Sequence, residues 1–159
     1  MLRQPNPEFL RRAIELAIQN VNTGRGGPFA AVIVRDGAVV AEAANSVTTT
    51  NDPTAHGEVN AIRAACRALG TFTLEGCVIY SSCEPCPMCL AAIYWARLDG
   101  LYFGGSHEDA AGAGFDDAFL YEELKRPVVE RKIPAEQLLQ EEARASFAAW
   151  GESGARVKY

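Results

Sequence analysis

Two short polar clusters constrain this chain most: His56-Gly57-Glu58 and Pro85-Cys86-Pro87-Met88-Cys89. Each falls where a helix begins, and one helix and one strand separate them. A helix start leaves backbone N–H groups without intrahelical partners and carries the positive end of the helix dipole. Thiolate is therefore favoured over thiol there. If the clusters serve one purpose, the chain must fold so that two helix starts face a single pocket.

The spacing within each cluster supports that. Cys86 and Cys89 lie one helical turn apart, so both sulfurs fall on one face. His56 and Glu58 would not share a face mid-helix. Both reach one pocket if His56 occupies the first, loosely wound turn of a helix starting near Pro53-Thr54. One imidazole and two thiolates are borderline-to-soft donors, a set that suits zinc. Three protein ligands leave the fourth tetrahedral position open, the mark of a catalytic site more than a structural one. Glu58 is near enough to accept a proton from an acidified water and pass it to a leaving nitrogen. A Cys-x-x-Cys pair alone also reads as a structural zinc knuckle or a redox pair. His-x-Glu on the preceding helix and proline before Cys86 favour catalysis, the pairing that marks zinc deaminases. Cys83 as a fourth ligand would close the site; it also reads as a small buried hydrophobe. Cys66 and Cys77 fit core positions. His107 reads as solvated in a glycine-rich loop, and Asp99, Glu108 and Asp109 as surface charges.

Along the chain, Asn6-Pro7-Glu8 forms a helix start, and apolar residues recur at helical spacing from Phe9 to Val21. Phe29 to Val34 suits a buried strand, Asp36-Gly37 a hairpin turn, and Ala38 to Ala43 the returning strand. After a polar stretch, a helix runs to Leu69 and stops at Gly70. Cys77 to Ser81 reads as a third strand, Pro87 to Arg97 as a helix, and Leu101 to Phe103 as a short fourth strand. Gly104 to Gly114 reads as a loop and Asp116 to Leu124 as a short helix. Val128 to Ile133 suits a fifth strand, and a last helix is expected from Pro134 to Trp150. Strands alternating with helices predict a mixed or parallel sheet covered by helices, an α/β layered fold.

The 159 residues suit one domain, 1–159, with a tail over about 151–159. The net charge of -5 makes a phosphate backbone a poor partner. No apolar run is long enough to span a bilayer, and no signal peptide is evident at the N-terminus. The count of five cysteines is odd. A cytoplasmic protein with reduced thiols is expected, in which clustered cysteines point to metal.

His56-Gly57-Glu58 and Ser82-Cys83-Glu84-Pro85-Cys86-Pro87-Met88-Cys89 resemble the cytidine deaminase superfamily. Gly26-Gly27-Pro28-Phe29, Asn51-Asp52-Pro53-Thr54-Ala55-His56, Ala92-Ile93-Tyr94-Trp95-Ala96-Arg97 and Gly114-Phe115-Asp116-Asp117 closely resemble its small zinc-dependent, guanine-deaminating bacterial branch. The resemblance runs from the first helix to Tyr159. It implies a three-layer α/β/α fold with a five-stranded mixed sheet, a homodimer, and one zinc ion per subunit. It also implies hydrolysis of guanine to xanthine and ammonia. By motif position, His56, Cys86 and Cys89 would hold zinc and Glu58 would shuttle protons. Asn45 would hydrogen-bond the purine, Phe29 would pack on its ring, and Asp117 would accept from its N–H groups. Trp95 and Phe115 would line the pocket, and Tyr159 would reach an active site, that of the same or the partner subunit. Plainer roles stand beside these: core packing for Phe29 and Trp95, a turn cap for Asn45, a frayed end for Tyr159. The family usually carries Ala where Gly57 stands. Gly57 keeps the N–H that a substrate oxygen could use, removes a methyl from a tight place, and costs up to ~1 kcal/mol of helix stability.

Other readings share the metal motif: deamination of cytosine, isocytosine or a guanosine-type nucleoside, or of adenosine in a tRNA anticodon. The acidic charge and the lack of a Lys/Arg-rich C-terminal helix weigh against the last. A zinc module without catalysis would have no need of Glu58.

Overall fold

The computed structural model describes residues 4–159, which divide into two compact units, one ending at Ala118 and one spanning Phe119–Tyr159. The first opens with helix α1 (Pro7–Asn22), whose N-cap Asn6 accepts a hydrogen bond from the Glu8 N–H. Strands β1 (Ala30–Arg35) and β2 (Ala38–Ala44) form the expected hairpin. Asp36 and Gly37 both take positive φ, 51° and 80°, as a tight two-residue hairpin turn demands. A one-turn helix α2 (Val47–Thr50) occupies part of the polar stretch. Helix α3 (Gly57–Leu69), strand β3 (Cys77–Cys83), helix α4 (Pro87–Trp95), strand β4 (Gly100–Gly105) and helix α5 (His107–Gly112) follow.

The sheet order is β2-β1-β3-β4. β1 is antiparallel to β2 and β3, while β3 and β4 run parallel, so the sheet is mixed. Alternation along β1 and β3 feeds two cores. Ala31, Ile33, Cys77 and Ile79 pack on Ala61 and Ala65 of α3 and Ile93 of α4. Val32, Val34 and Tyr80 pack on Ala13 of α1, with Phe9, Leu10 and Leu16 around them. Helices thus cover both faces, giving three α/β/α layers.

The expected fifth strand over 128–133 does not form; the described residues contain four strands. Instead Val128–Glu130 is a 3₁₀ turn after Pro127, and Glu130 and Arg131 donate their N–H groups back to Pro127 and Val128. Local turn bonds of this kind remove the donors a ladder would use. The Gly104–Gly114 stretch, expected as a loop, holds α5. Ser106 caps it reciprocally with Asp109 in a capping box. Asp109, exposed as expected, also caps this helix.

Helix α6 (Ala118–Lys125) crosses into the second unit. Within that unit the Glu123 carboxylate accepts from the Lys132 N–H at 2.6 Å. The last helix, α7 (Gln140–Glu152), starts six residues later than Pro134, after Leu139 at φ 52°.

Candidate active site

The helix expected from Pro53-Thr54 begins instead at Gly57. The Asp52 carboxylate accepts from the Thr54 N–H at 2.8 Å and its hydroxyl at 2.7 Å, forming a local turn that competes with helix. His56 is therefore the N-cap of α3, with extended backbone (φ -71°, ψ 157°), not a first-turn residue. Cys86 holds the same position on α4 (φ -62°, ψ 167°), ahead of Pro87 at the first helical position. N-cap side chains ordinarily bond their own helix's free N–H groups. Neither His56 nor Cys86 does so. Their side chains meet each other: His56 Nδ1 lies 3.6 Å from Cys86 Sγ and 3.4 Å from Cys89 Sγ.

The donor atoms of His56, Cys86 and Cys89 all lie within 4.8 Å of one another. One imidazole nitrogen and two sulfurs at that separation fit a tetrahedral zinc with an open position. Cys89 donates to Cys86, which with His56 beside it is pushed down to about 4, while the Cys89 thiol is pushed up. The Cys86 hydrogen bond in turn raises His56. Cys83 does not join the cluster; its thiol points to the Ser106 carbonyl at 3.4 Å.

Glu58, in the first turn of α3, is 5% exposed. Ser81 of β3 donates its hydroxyl to Glu58 Oε1 at 3.0 Å, and Cys89 Sγ sits 3.4 Å from Oε2. Burial raises this carboxyl above its ordinary range. Burial that favours the neutral form lets this carboxyl hold a proton and give it back, as a general acid–base must.

Gly57 lies between these groups and β1. A Cβ there would stand 2.8 Å from Ala30 Cα and 3.1 Å from Ala30 N. The obstacle is strand backbone, so the missing methyl is what lets α3 approach β1 this closely.

The residues expected to contact the base lie in several segments of the chain. Phe29 is half-buried and meets Phe115 edge to face, with centroids 4.9 Å apart at 87°. Asn45 is buried; its side-chain oxygen accepts from the N–H groups of Gly27 (3.4 Å) and Val47 (3.2 Å). That leaves its NH₂ as the remaining polar group. Asn45 also donates its backbone N–H to Phe29 O at 2.8 Å. Asp117 is half-buried, and desolvation raises its carboxyl while the charge of Cys86 reaches it. Trp95 stands apart, 61% exposed at the far end of α4 with the Arg97 guanidinium 5.9 Å from its ring. Tyr159, in the second unit, is exposed.

Several supporting residues escaped the sequence reading. Ser81 carries no motif, yet orients Glu58. Asn20, buried on α1, donates to the carbonyls of Gly27 (2.9 Å) and Asn45 (2.8 Å), tying the Gly-Gly-Pro-Phe loop to the end of β2. Gly26 fits between them because a Cβ would stand 2.3 Å from Asn45 O. His107 is not simply solvated: its Nδ1 lies 2.8 Å from Glu84 Oε2. A buried polar residue at a helical core position was the available signal for Asn20.

Residues 3–105 match the cytidine and deoxycytidylate deaminase zinc-binding region. The chain is 54% identical to the guanine deaminase of Bacillus subtilis (strain 168) over 151 residues, covering 95% of this chain and 97% of that one. The X-ray structure of guanine deaminase from Bacillus subtilis superposes with a TM-score of 0.95 at 52% identity, covering 98% of this chain and 99% of the other. A tRNA-specific adenosine deaminase of Aquifex aeolicus is 35% identical over 135 residues, 85% of this chain and 86% of its own.

Proposed function

This chain belongs to the cytidine and deoxycytidylate deaminase zinc-binding family, and from that premise we propose that it hydrolyses guanine to xanthine and ammonia. The observation that carries the reaction type is the meeting of His56, Cys86 and Cys89 with the buried Glu58 carboxyl beside them. Likeness to guanine deaminase along nearly the whole chain carries the choice of base. It also supports treating 1–159 as one functional domain.

In this reading His56, Cys86 and Cys89 hold one zinc ion per subunit. When bound, zinc supplies the Lewis acidity that lowers the pKa of a water toward ~7. Glu58 removes a proton from the attacking water and delivers one to the departing amine, so ammonia leaves as a neutral molecule. Ser81 holds Oε1, so Oε2 does the carrying. Phe29, with Phe115 against its edge, packs on the ring, and the Asn45 NH₂ donates to it. Asp117 accepts from the base's N–H groups. The Gly57 N–H, at the start of α3, donates to a substrate oxygen.

The enzyme acts on the purine as a homodimer. No residue from Phe119 to Tyr159 is buried, although Val129, Ile133, Leu138, Leu139, Phe147 and Trp150 all lie in that stretch. Apolar surface of this extent calls for a covering partner, and a second copy, with Tyr159 reaching an active site, supplies one. The five cysteines are unpaired, which supports the cytoplasm, and no described helix is long and apolar enough to cross a membrane. The net charge of -5 supports a free base over tRNA.

An absorbance assay of the zinc-loaded protein against guanine, guanosine, adenine, cytosine and isocytosine tests the reading. Guanine is expected to be consumed fastest, with xanthine formed; turnover confined to another base, or none, overturns it.

A further inference from the structure

The loop that carries Cys86 is fastened to the end of β4 and the start of α5 by polar bonds. Glu84 donates its N–H to Gly105 O at 2.8 Å. Its Oε2 accepts from the His107 N–H at 3.1 Å and faces His107 Nδ1 at 2.8 Å. Between those bonds, Ser106 O accepts from Cys83 Sγ. His107 opens α5, a short helix with no buried residue. Packing therefore contributes little to where α5 sits, and these polar bonds carry the task. From α5 the chain turns directly into Phe115 and Asp117: Phe115 donates its N–H to Ala110 O at 2.9 Å and Gly114 to Ala111 O at 3.0 Å.

We propose that His107, through Glu84, is a positioning residue that sets Phe115 and Asp117 against the Cys86 side of the pocket and thereby fixes affinity for the base. It rests on the reading that Asp117 accepts from the base. The charges of Cys86 and His107 both reach the Asp117 carboxyl, which agrees with a shared pocket. The role differs from that of Glu58, which takes and gives the reacting proton. Its loss loosens the wall and leaves the chemistry in place.

The test is a double-mutant cycle on the zinc-loaded, full-length protein, with zinc content, kcat and KM for guanine measured in each variant. His107→Ala is expected to raise KM about tenfold, the size of one lost charge-assisted hydrogen bond, with zinc content and kcat near the parent's. His107→Asn, whose side-chain N–H falls where Nδ1 stands, is expected to recover most of that KM. In an Asp117→Asn background, already raised in KM, His107→Ala is expected to add little. A His107→Ala loss confined to kcat or to zinc content, or no recovery in His107→Asn, overturns the proposal. So does a full additive effect in the Asp117→Asn background. An ordinary KM for Asp117→Asn alone overturns the reading of Asp117, and the proposal with it.

Discussion

The metal corner and the proposed base-facing wall are built by different means. The corner takes His56, Glu58, Cys86 and Cys89 from two helix starts, and backbone geometry at those starts aims them. The wall takes Phe29, Asn45 and Asp117 from three loops, and distant side chains hold them: Asn20 across to Gly27 and Asn45, His107 across to Glu84. In the proposed reading, a corner set by local geometry tolerates little and governs whether reaction occurs. A wall set by long-range polar bonds can shift by degrees and governs what is bound and how tightly. Damage to the corner should therefore appear in metal content and kcat, and damage to the wall in KM.

The largest expected effect lies in the corner. Cys89→Ala removes one of three donors, and zinc is expected to leave with it, taking turnover to background. Metal analysis of the purified variant checks this, and a zinc-replete, active Cys89→Ala would dissolve the distinction. In the wall, Asp117→Asn turns an acceptor pair into a donor and an acceptor. KM for guanine is expected to rise roughly ten- to a hundredfold, on the scale of a lost hydrogen bond to a charged group, with zinc retained; steady-state kinetics decide it.

Gly57 sharpens the comparison, because it belongs to the corner by sequence and touches the wall's strand. Gly57→Ala drives a methyl against Ala30 backbone. Overpacking of that kind costs about 1–3 kcal/mol, a fall in Tm of roughly 3 to 10 °C for a chain of this size. An unchanged melting curve would show that β1 and α3 separate freely there.

The smallest effect concerns the Glu84–His107 pair. Its hydrogen bond to Glu84 raises His107 above the ordinary 6.5, so that contribution is full below 6.5 and fades as pH climbs through the raised value. The same bond lowers Glu84 below the ordinary 4.5, so its contribution is full above 4.5 and fades as pH falls through the lowered value. Glu108 and Asp117 also face His107 and favour its charged form. The Tm difference between the parent and His107→Asn is thus expected to peak between about pH 4.5 and 6.5. Melts from pH 4 to 9 measure it; a difference flat in pH would mean the pair is not charged.

These contrasts also explain what could be read in the sequence. The cluster of His56, Cys86 and Cys89 was legible because each pair lies within one helical turn or at a helix boundary, where spacing fixes direction. β1, β2 and their turn were legible because Asp36-Gly37 demands positive φ. The start of α3 was displaced because Asp52 closes a side-chain turn on Thr54, and that bond has no periodic signature. Val128–Ile133 carries strand-forming residues, but strand formation requires a neighbouring ladder, and Pro127 starts a 3₁₀ turn there instead. Asn20, Ser81 and Glu84–His107 were invisible because their partners lie far along the chain or carry no motif of their own.

In the proposed reaction Glu58 carries the proton and the metal corner makes the step possible. Turnover of guanine by Glu58→Gln at full zinc occupancy tests it most directly. The glutamine preserves the acceptor for Ser81 and removes the titrating oxygen. Turnover is expected to fall by ~10²–10⁴ with zinc bound and KM little changed. A zinc-loaded Glu58→Gln protein that turns over within a few-fold of the parent would contradict the account.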